Sequence, residues 1–535
     1  MTDSLADLLR RYERERLEQR TGGYAFAQRF PAEAAALGLT TGGAAHPHTQ
    51  ALLDALSFAN ARTREQLDRN LEQFARDLLS ALFPFAVRPL PPYSIVQFAG
   101  APRPGATGVV PRGTALFASH GGGTRCQFRT CYDTELTPLS LAAAAFSRDV
   151  QAPPGVFAGA QVQALLSIAF TCPIPLQDLA ADHVRVFIDA DRLQASALRD
   201  ALFLRACAAC TEDGTGHWRV LPGMPIRSIG FGPGETILPP EARTPPANQA
   251  LLEYFAYPEK FNFFDLDLDM IRRQLPAGSH GFQLHLGLHL NHGEGALERV
   301  LAPLSAANLR LGCTPVVNLF AASACPVYRD YTKSDYVLLP NALRPADYEI
   351  YSVDAVTSVA KSAARIRTTQ FHPYHSLKHG QAGSARPSYW LMRRDERMAD
   401  IRPGFETSIA FIDAEFDPLG ADASVMSVDL TCSNRDLATT LAIGARDGDL
   451  RMASGQAAGP VRLLRHPSPT RRLPAREQWR LVSHLAVNLN SLLQPDLDAL
   501  KELLTLHDSV RVAASQSQIG GLAAIAWDDC ILPYR

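Results

Sequence analysis

No stretch of this 535-residue chain reaches the run of about 18 apolar residues that a membrane-spanning helix needs. The opening "MTDSLADLLRRYERERLEQR" alternates charged and apolar residues and has no apolar core of a secretory signal, so the chain is expected to stay in the cytoplasm. Excess charge is missing as well. Against 52 Lys and Arg stand 54 Asp and Glu, a formal net charge of -2, which leaves no basic field to neutralise a phosphate backbone and argues against nucleic acid as ligand. Cysteine is sparse, nine scattered residues, so no disulfide framework is expected. The one C-x-x-C, Cys207 and Cys210 in "RACAAC", has no second pair to complete a zinc site. On a helix the two would share a face as small packing residues.

Catalytic signatures are also missing. "GFGPGET", Gly230 to Thr236, lacks the G-K-[ST] of a phosphate loop, and Glu235 would repel a phosphate, so it is expected to be a turn. "SHGGGT", Ser119 to Thr124, looks like an oxyanion loop, but no G-x-S-x-G elbow accompanies it, and a hairpin tip is expected.

What the chain does have is length, 46% hydrophobic residues and a mean hydropathy of -0.07, which suit a soluble protein of two to four domains. Leu5, Leu8, Leu9, Tyr12 and Leu17 mark an amphipathic first helix. A longer one runs from about Pro47 to Phe83, with Leu67, Leu71, Phe74 and Leu78 at alternating spacings, and Pro84 stops it. Residues 1–85 therefore form a helical region. Short strands punctuated by Gly and Pro follow: "SIVQFAG", "TALFAS", "CQFRTCYD" and "VQALLSIAF". "DHVRVFIDA", with Val184, Val186 and Ile188 on one face, and "DRLQASALRDALFLRACAAC" as a helix make a βα unit near 182–210. Strands continue through "DYEIYSVDAVTSVA" and, after the segment "SARPSYWLMRRD", through "FETSIAFIDAEF" and "VMSVDLTCSNRD", and helices return with "AREQWRLVSHLAVNLNSLL" and "PDLDALKELLTLH". The expected class is a multi-domain α+β fold, divided as 1–85, 86–330 and 331–535.

Two histidine groups could hold a metal: His285, His289 and His292 in "LHLGLHLNH", and His372, His375 and His379 in "FHPYHSLKHG". On a strand His285 and His289 would face one side and His292 the other, so at most two ligands converge there. Neither group has H-E-x-x-H or an obvious carboxylate partner. A metal-dependent cupin- or oxygenase-like enzyme using the His285/His289 and His372/His379 segments is thus the alternative to a protein without chemistry, and a carbohydrate-binding β-sandwich is a third class. "TCSNRDL", Thr431 to Leu437, brings Asn434, Arg435 and Asp436 together either as a substrate clamp or as a turn closed by an ion pair.

Seven pieces agree in order and spacing with one family. They are "RRYERERLEQR" with "FAQRFPAEAAALGL", then "LLDALSFANARTREQLD", "LLEYFAYPEKFNFFDL", "CTPVVNLF", "RPADYEIYSVDAVTSV", "SYWLMRR" and "LTCSNRDL". The chain resembles the TssF (ImpG/VasA) family of type VI secretion baseplate proteins. That resemblance implies a structural subunit similar to contractile-phage wedge proteins, with no enzymatic activity and no cofactor. It further implies a wedge with a second TssF copy and one TssG, contacts to TssK and TssE, and six wedges around the VgrG spike, at the inner face of the bacterial inner membrane, where sheath polymerisation starts. The family's Pro-aromatic-Tyr-Ser-aromatic-basic-His pattern aligns with Pro373, Tyr374, His375, Ser376, Leu377, Lys378 and His379, so that only His379 matches a family histidine. Family members usually continue for several dozen residues beyond "QIGGLAAIAW", with a glycine- and aromatic-rich segment, and the segment "FAASACPV" departs from the basic character usual there.

Overall fold

The computed structural model describes residues 2–40, 43–44, 46–99, 108–119, 123–157, 161–241, 244, 246–290, 295–330, 333–362, 365–374, 388–413, 424–452, 459–472, 477–482, 497–508 and 511–526. Two long helices open it. Thr2–Arg29 outruns its expected stripe, and Pro47–Leu82 begins with Pro47 in its first turn and ends where Pro84 removes a backbone donor. They pack against each other as a hairpin arm, with Tyr12 edge-on to Phe58 and otherwise largely through polar groups. Arg64 pairs with Glu15 at 2.7 Å, Arg16 with Asp54 at 3.0 Å and Arg11 with Asp68, while the Ser57 hydroxyl donates to Gln19 at 2.8 Å. Ala61 and Ser57, both fully buried, let the two axes approach.

The body is built of mostly antiparallel sheets. Five strands line up as Trp218–Val220, Ala206–Glu212, Gly281–Leu288, Ala164–Thr171 and Ser140–Ser147. Four more form Ile226–Ser228, Phe263–Asp267, His183–Ile188 and Leu309–Leu311. Val184, Val186 and Ile188 are buried as the alternation requires, and together with Leu284, Leu286 and Leu198 they join these two sheets in one core. Phe187 on the opposite face belongs to a second core with Tyr93, Tyr132, Tyr257 and Phe263.

A six-stranded sheet draws on distant parts of the chain. Its order is Arg451–Met452, Ala115–Ser119, Arg125–Thr130, Cys313–Val317, Tyr93–Phe98 and Val461–Leu463. An eight-stranded sheet is centred on the long strands Glu349–Ser362 and Ser424–Ser433 and extends through Arg365–Pro373, Ser388–Arg394 and Thr407–Asp413. In it Arg365–Pro373 and Ser388–Arg394 run parallel, with His372 opposite Tyr389. Towards the C-terminus the helix Leu497–His507 forms as expected. His507 packs edge-on against Phe83 and so ties this segment to the base of the arm.

One expected helix ends early. Arg192–Asp200 is helical, capped by the Asp191 carboxylate on the Gln194 N–H, and a single π turn carries the chain to Arg205. Ala206–Glu212 is then a strand between Gly281–Leu288 and Trp218–Val220. "ACAAC" gives a helix no bulky contacts, and pairing with two strands wins over local propensity. Cys207 and Cys210 consequently do not share a face. Cys207 is the extra residue of a bulge and is exposed, and Cys210 is fully buried.

In the segment "LLEYFAYPEKFNFF" the interior holds an ion pair. Glu253 and Lys260 contact each other with their side chains 0% and 1% exposed. The Glu253 carboxylate also accepts from the N–H groups of Ile237 and Leu238 and from Gln249. A buried charge is tolerated only when fully paired in this way. Replacing Glu253 by Ala strands the Lys260 ammonium, and we expect the unfolding free energy in urea to fall by about 3–5 kcal/mol.

Candidate functional site

The densest polar constellation lies where the eight-stranded sheet meets the arm. Glu349, at the start of its strand, has a side chain with no exposed surface and receives Arg394 and Arg472 directly, with Arg435 at 3.8 Å. Glu406, also buried, pairs with Arg435 and, at 3.5 Å, with Arg394, and it accepts the Gly404 N–H at 2.6 Å. Glu396 extends the network to Arg394 at 3.1 Å, Arg472 at 3.3 Å and Arg76 of the arm helix at 3.6 Å. Arg76 also donates to the Arg394 carbonyl at 3.2 Å. Burial pushes the Glu349 ionisation up, but the summed field of Arg394, Arg472 and Arg435 outweighs it and holds the carboxyl below its usual range.

"TCSNRDL" is therefore the closed turn and not a clamp. Arg435 adopts φ 51°, a strained conformation for a side chain of its size, and it is fixed there by Glu406 and by the Tyr348 carbonyl at 3.0 Å. Asn434 and Asn318 of "VVNLF", both fully buried, bond each other at 2.9 Å, and Asn434 Oδ1 accepts the Gln127 N–H at 3.1 Å. This pair stitches the six-stranded sheet to the eight-stranded one. "GFGPGET" is likewise a turn, in which the Glu235 carboxylate accepts the N–H groups of Gly230 and Gly232 at 2.7 and 2.8 Å and so occupies the place an anion would take.

The described histidines do not converge. His285 lies within the five-stranded sheet, Nδ1 on the Ser167 hydroxyl at 2.7 Å and Nε2 on Glu212 at 3.1 Å, with the Trp218 ring stacked 3.8 Å away. Burial lowers its pKa, partly offset by Glu212. Both ring nitrogens are engaged, so neither is free to ligate. His289 falls past the strand, which ends at Leu288, and its Nδ1 contacts the Gln161 carbonyl instead, so the expected same-face pair with His285 does not form. His372 is half-buried on a strand. His292, His375 and His379 lie outside the described residues. Among those described, no three His, Cys, Asp or Glu are placed to hold a metal.

The surface feature that stands out is on the arm. Leu52, Leu56, Leu67, Leu71, Phe74 and Leu82 follow one helical stripe, and all of them are exposed, Leu52 by 72% and Leu71 by 63%. Together with the ion pairs on the inner face, this makes the hairpin largely polar inside and apolar along one outer stripe. The spacing gave the stripe, but not its outward direction, because periodicity alone does not say which face a partner helix covers. Glu349, Glu406 and Arg472 also escaped the sequence reading; a lone carboxylate leading an apolar strand was the available signal.

Three comparisons bear on this geometry. The family model described as "Type VI secretion system, TssF" matches residues 5–532. The "Type VI secretion system component TssF1" of Pseudomonas aeruginosa (strain PAO1) is 27% identical over 547 residues, covering 98% of this chain and 87% of that protein. A chain of the type VI secretion system TssK-TssF-TssG baseplate subcomplex, seen by cryo-electron microscopy, superposes with a TM-score of 0.67 at 22% identity, over 89% of this chain and 85% of that one. A chain of the baseplate complex from the type VI secretion system does so with a TM-score of 0.52 at 18% identity, over 97% and 86%. At these identities the two superpositions establish the fold.

Glu349→Gln removes the charge that three arginines share, and we expect a loss of about 3–5 kcal/mol at neutral pH. Because the folded pKa is depressed, this contribution is complete above the unfolded value of about 4.3 and disappears as pH falls through the folded one. Thermal melts of the wild type and the variant should converge at acid pH. Elemental analysis of purified protein should find zinc and iron well below one equivalent, unchanged in His285→Ala; a stoichiometric metal lost on that substitution would contradict the bonding described for His285.

Proposed function

We propose, because this chain belongs to the type VI secretion system TssF family, that it is a structural subunit of the secretion baseplate and works by holding several partners in fixed geometry. The single observation that carries this is the arm. A 36-residue helix with an outward leucine stripe is costly to leave in water, and subunits of an assembly are where such surfaces are covered. The ion network around Glu349 supports the same reading, because it clamps the arm to the eight-stranded sheet through Arg76, so that load on one is passed to the other.

In this reading the stripe is the seat of helices from a TssG-like protein and from a second copy of this chain, giving a wedge with two copies per TssG. TssK, TssE and the VgrG spike contact the body, and the wedge sits on the cytoplasmic side of the inner membrane, as part of the platform on which the contractile sheath polymerises. We keep 1–85, 86–330 and 331–535 as working bounds for the arm and the two halves of the body, with strands 451–452 and 461–463 returning to the sheet of the middle part.

The test is co-expression with the TssG-like partner followed by native mass measurement. The wild type should give two copies of this chain per partner. Leu67→Glu with Leu71→Glu should abolish the complex and leave the circular dichroism and melting temperature of the lone chain unchanged, since both side chains are more than half exposed. A variant that still assembles would remove the stripe from the interface, and a wild type that stays monomeric would refute the baseplate reading.

A further inference from the structure

A cleft of about 580 Å³ opens where four separate parts of the chain meet, its Arg471 adjoining Arg472 of the Glu349 network. Its walls come from the helix Arg192–Asp200, the segment around Tyr254–Asn262, the loop carrying Arg465 to Arg471 and the helix Ala513–Gly520, with Tyr93 also lining it. Four arginines line it. Arg465 is already neutralised by Asp189 at 2.5 Å and Glu259 at 3.1 Å. For Arg192, Arg199 and Arg471, no carboxylate among the described residues makes an ion pair. The one other acid in the wall, Asp508, is fully buried and spent on the Arg511 N–H, the Ser515 hydroxyl and Gln516. The four arginines outnumber the two acids of the lining, Glu259 and Asp508, so among the described residues the cleft is net positive in a chain whose net charge is -2.

Two buried donors in its lining lack acceptors. Tyr93 is 5% exposed, its ring centroid 5.0 Å from that of Tyr257, and its hydroxyl has no partner. Burial and the Glu259 carboxylate push its ionisation well above the ordinary range, so it remains an O–H donor. Arg199 has its Nε buried without an acceptor. An unmet buried donor is destabilising, and a ligand rich in acceptor oxygens would satisfy both sites.

The chemistry of the walls narrows the ligand. There is no lysine and no glycine loop, and the start of Arg192–Asp200 is already capped by Asp191, so no backbone cradle for phosphate is available. Three guanidinium forks match carboxylates. Leu193, 67% exposed, and Val512, 38% exposed, stand in the same lining, and a small inorganic anion would leave both in water. We propose that this cleft docks an acidic peptide segment of a partner protein, its carboxylates on Arg199, Arg192 and Arg471 and an apolar side chain against Leu193 and Val512. The occupied cleft would pin the Ala513–Gly520 helix to the body.

Fluorescence anisotropy of the full-length chain tests this, with the fluorescein-labelled peptide EEWLEED and the same peptide with lysine for every acid. The acidic peptide should bind, weaken as salt is raised, and lose at least about tenfold in affinity, or 1.4 kcal/mol, in the pair Arg192→Glu with Arg471→Glu. Leu193→Asp, at an exposed position that leaves the fold intact, should weaken it as well. No binding at roughly millimolar peptide, equal binding of the lysine peptide, or affinity unchanged in both variants would overturn the proposal. So would displacement by inorganic tripolyphosphate below the peptide's own binding concentration, which would make this a site for phosphorylated small molecules. Binding here is read on the lone chain and is independent of whether the arm assembles with TssG.

Discussion

A carboxylate with no exposed surface, shared among three arginines, is the constraint on which much of this protein's architecture depends. Glu349 is reached by Arg394 from the next part of its own sheet, by Arg435 from a turn held at positive φ, and by Arg472 from the segment leading to the C-terminal helices. Each arginine alone would be an expensive burial, and so would the glutamate; only the closed set is tolerable in a low-dielectric interior. Apolar packing would hold the same elements together, but it would accept small slips in register. Charges with fork geometry accept one arrangement, which is what a part that must seat several neighbours requires.

The arm inverts the usual amphipathic rule for a reason that follows from this. A hairpin whose helices meet through Arg64 with the buried Glu15 and Arg16 with Asp54 gains modestly from each pair, because both arginines stay open to solvent, which screens the attraction. The arm is consequently held at its base, by Arg76 on Glu396 and by the packing of Phe83 and Leu79 with Leu481 and Val482, more than along its length. Its apolar face stays largely exposed, with Phe74 touching Trp479 near the base.

Element types were legible in the sequence wherever the signal was local. Pro47 and Pro84 bracket the long helix as they should, and the alternation Val184, Val186, Ile188 gives the right strand face. Legibility failed where sequence-distant contacts decide. "ACAAC" follows a helix without a break in propensity, and only two neighbouring strands make it extended. His289 missed the face of His285 because its strand stops one residue short. The motifs that carried the family resemblance were legible as motifs but not as physics. Glu253 and Lys260, Asn318, Glu349, Arg394, Asn434 and Arg435 all come from quoted pieces, and all turn out to be the internal polar contacts of the fold. The partners of Glu349 lie 45 and 123 residues away in sequence, beyond the range of any periodicity argument.

The six-stranded sheet sets a schedule for synthesis. Tyr93–Phe98 is flanked on one side by Val461–Leu463, and the Ser94 hydroxyl donates to the carbonyl of Arg465, 371 residues later. A ribosome adding roughly 5–20 residues per second needs about 20–70 s to bring that second strand out. Through that interval the edge of Tyr93–Phe98 stands open beside the nascent chain, so this protein cannot finish its central sheet until nearly all of it has been translated.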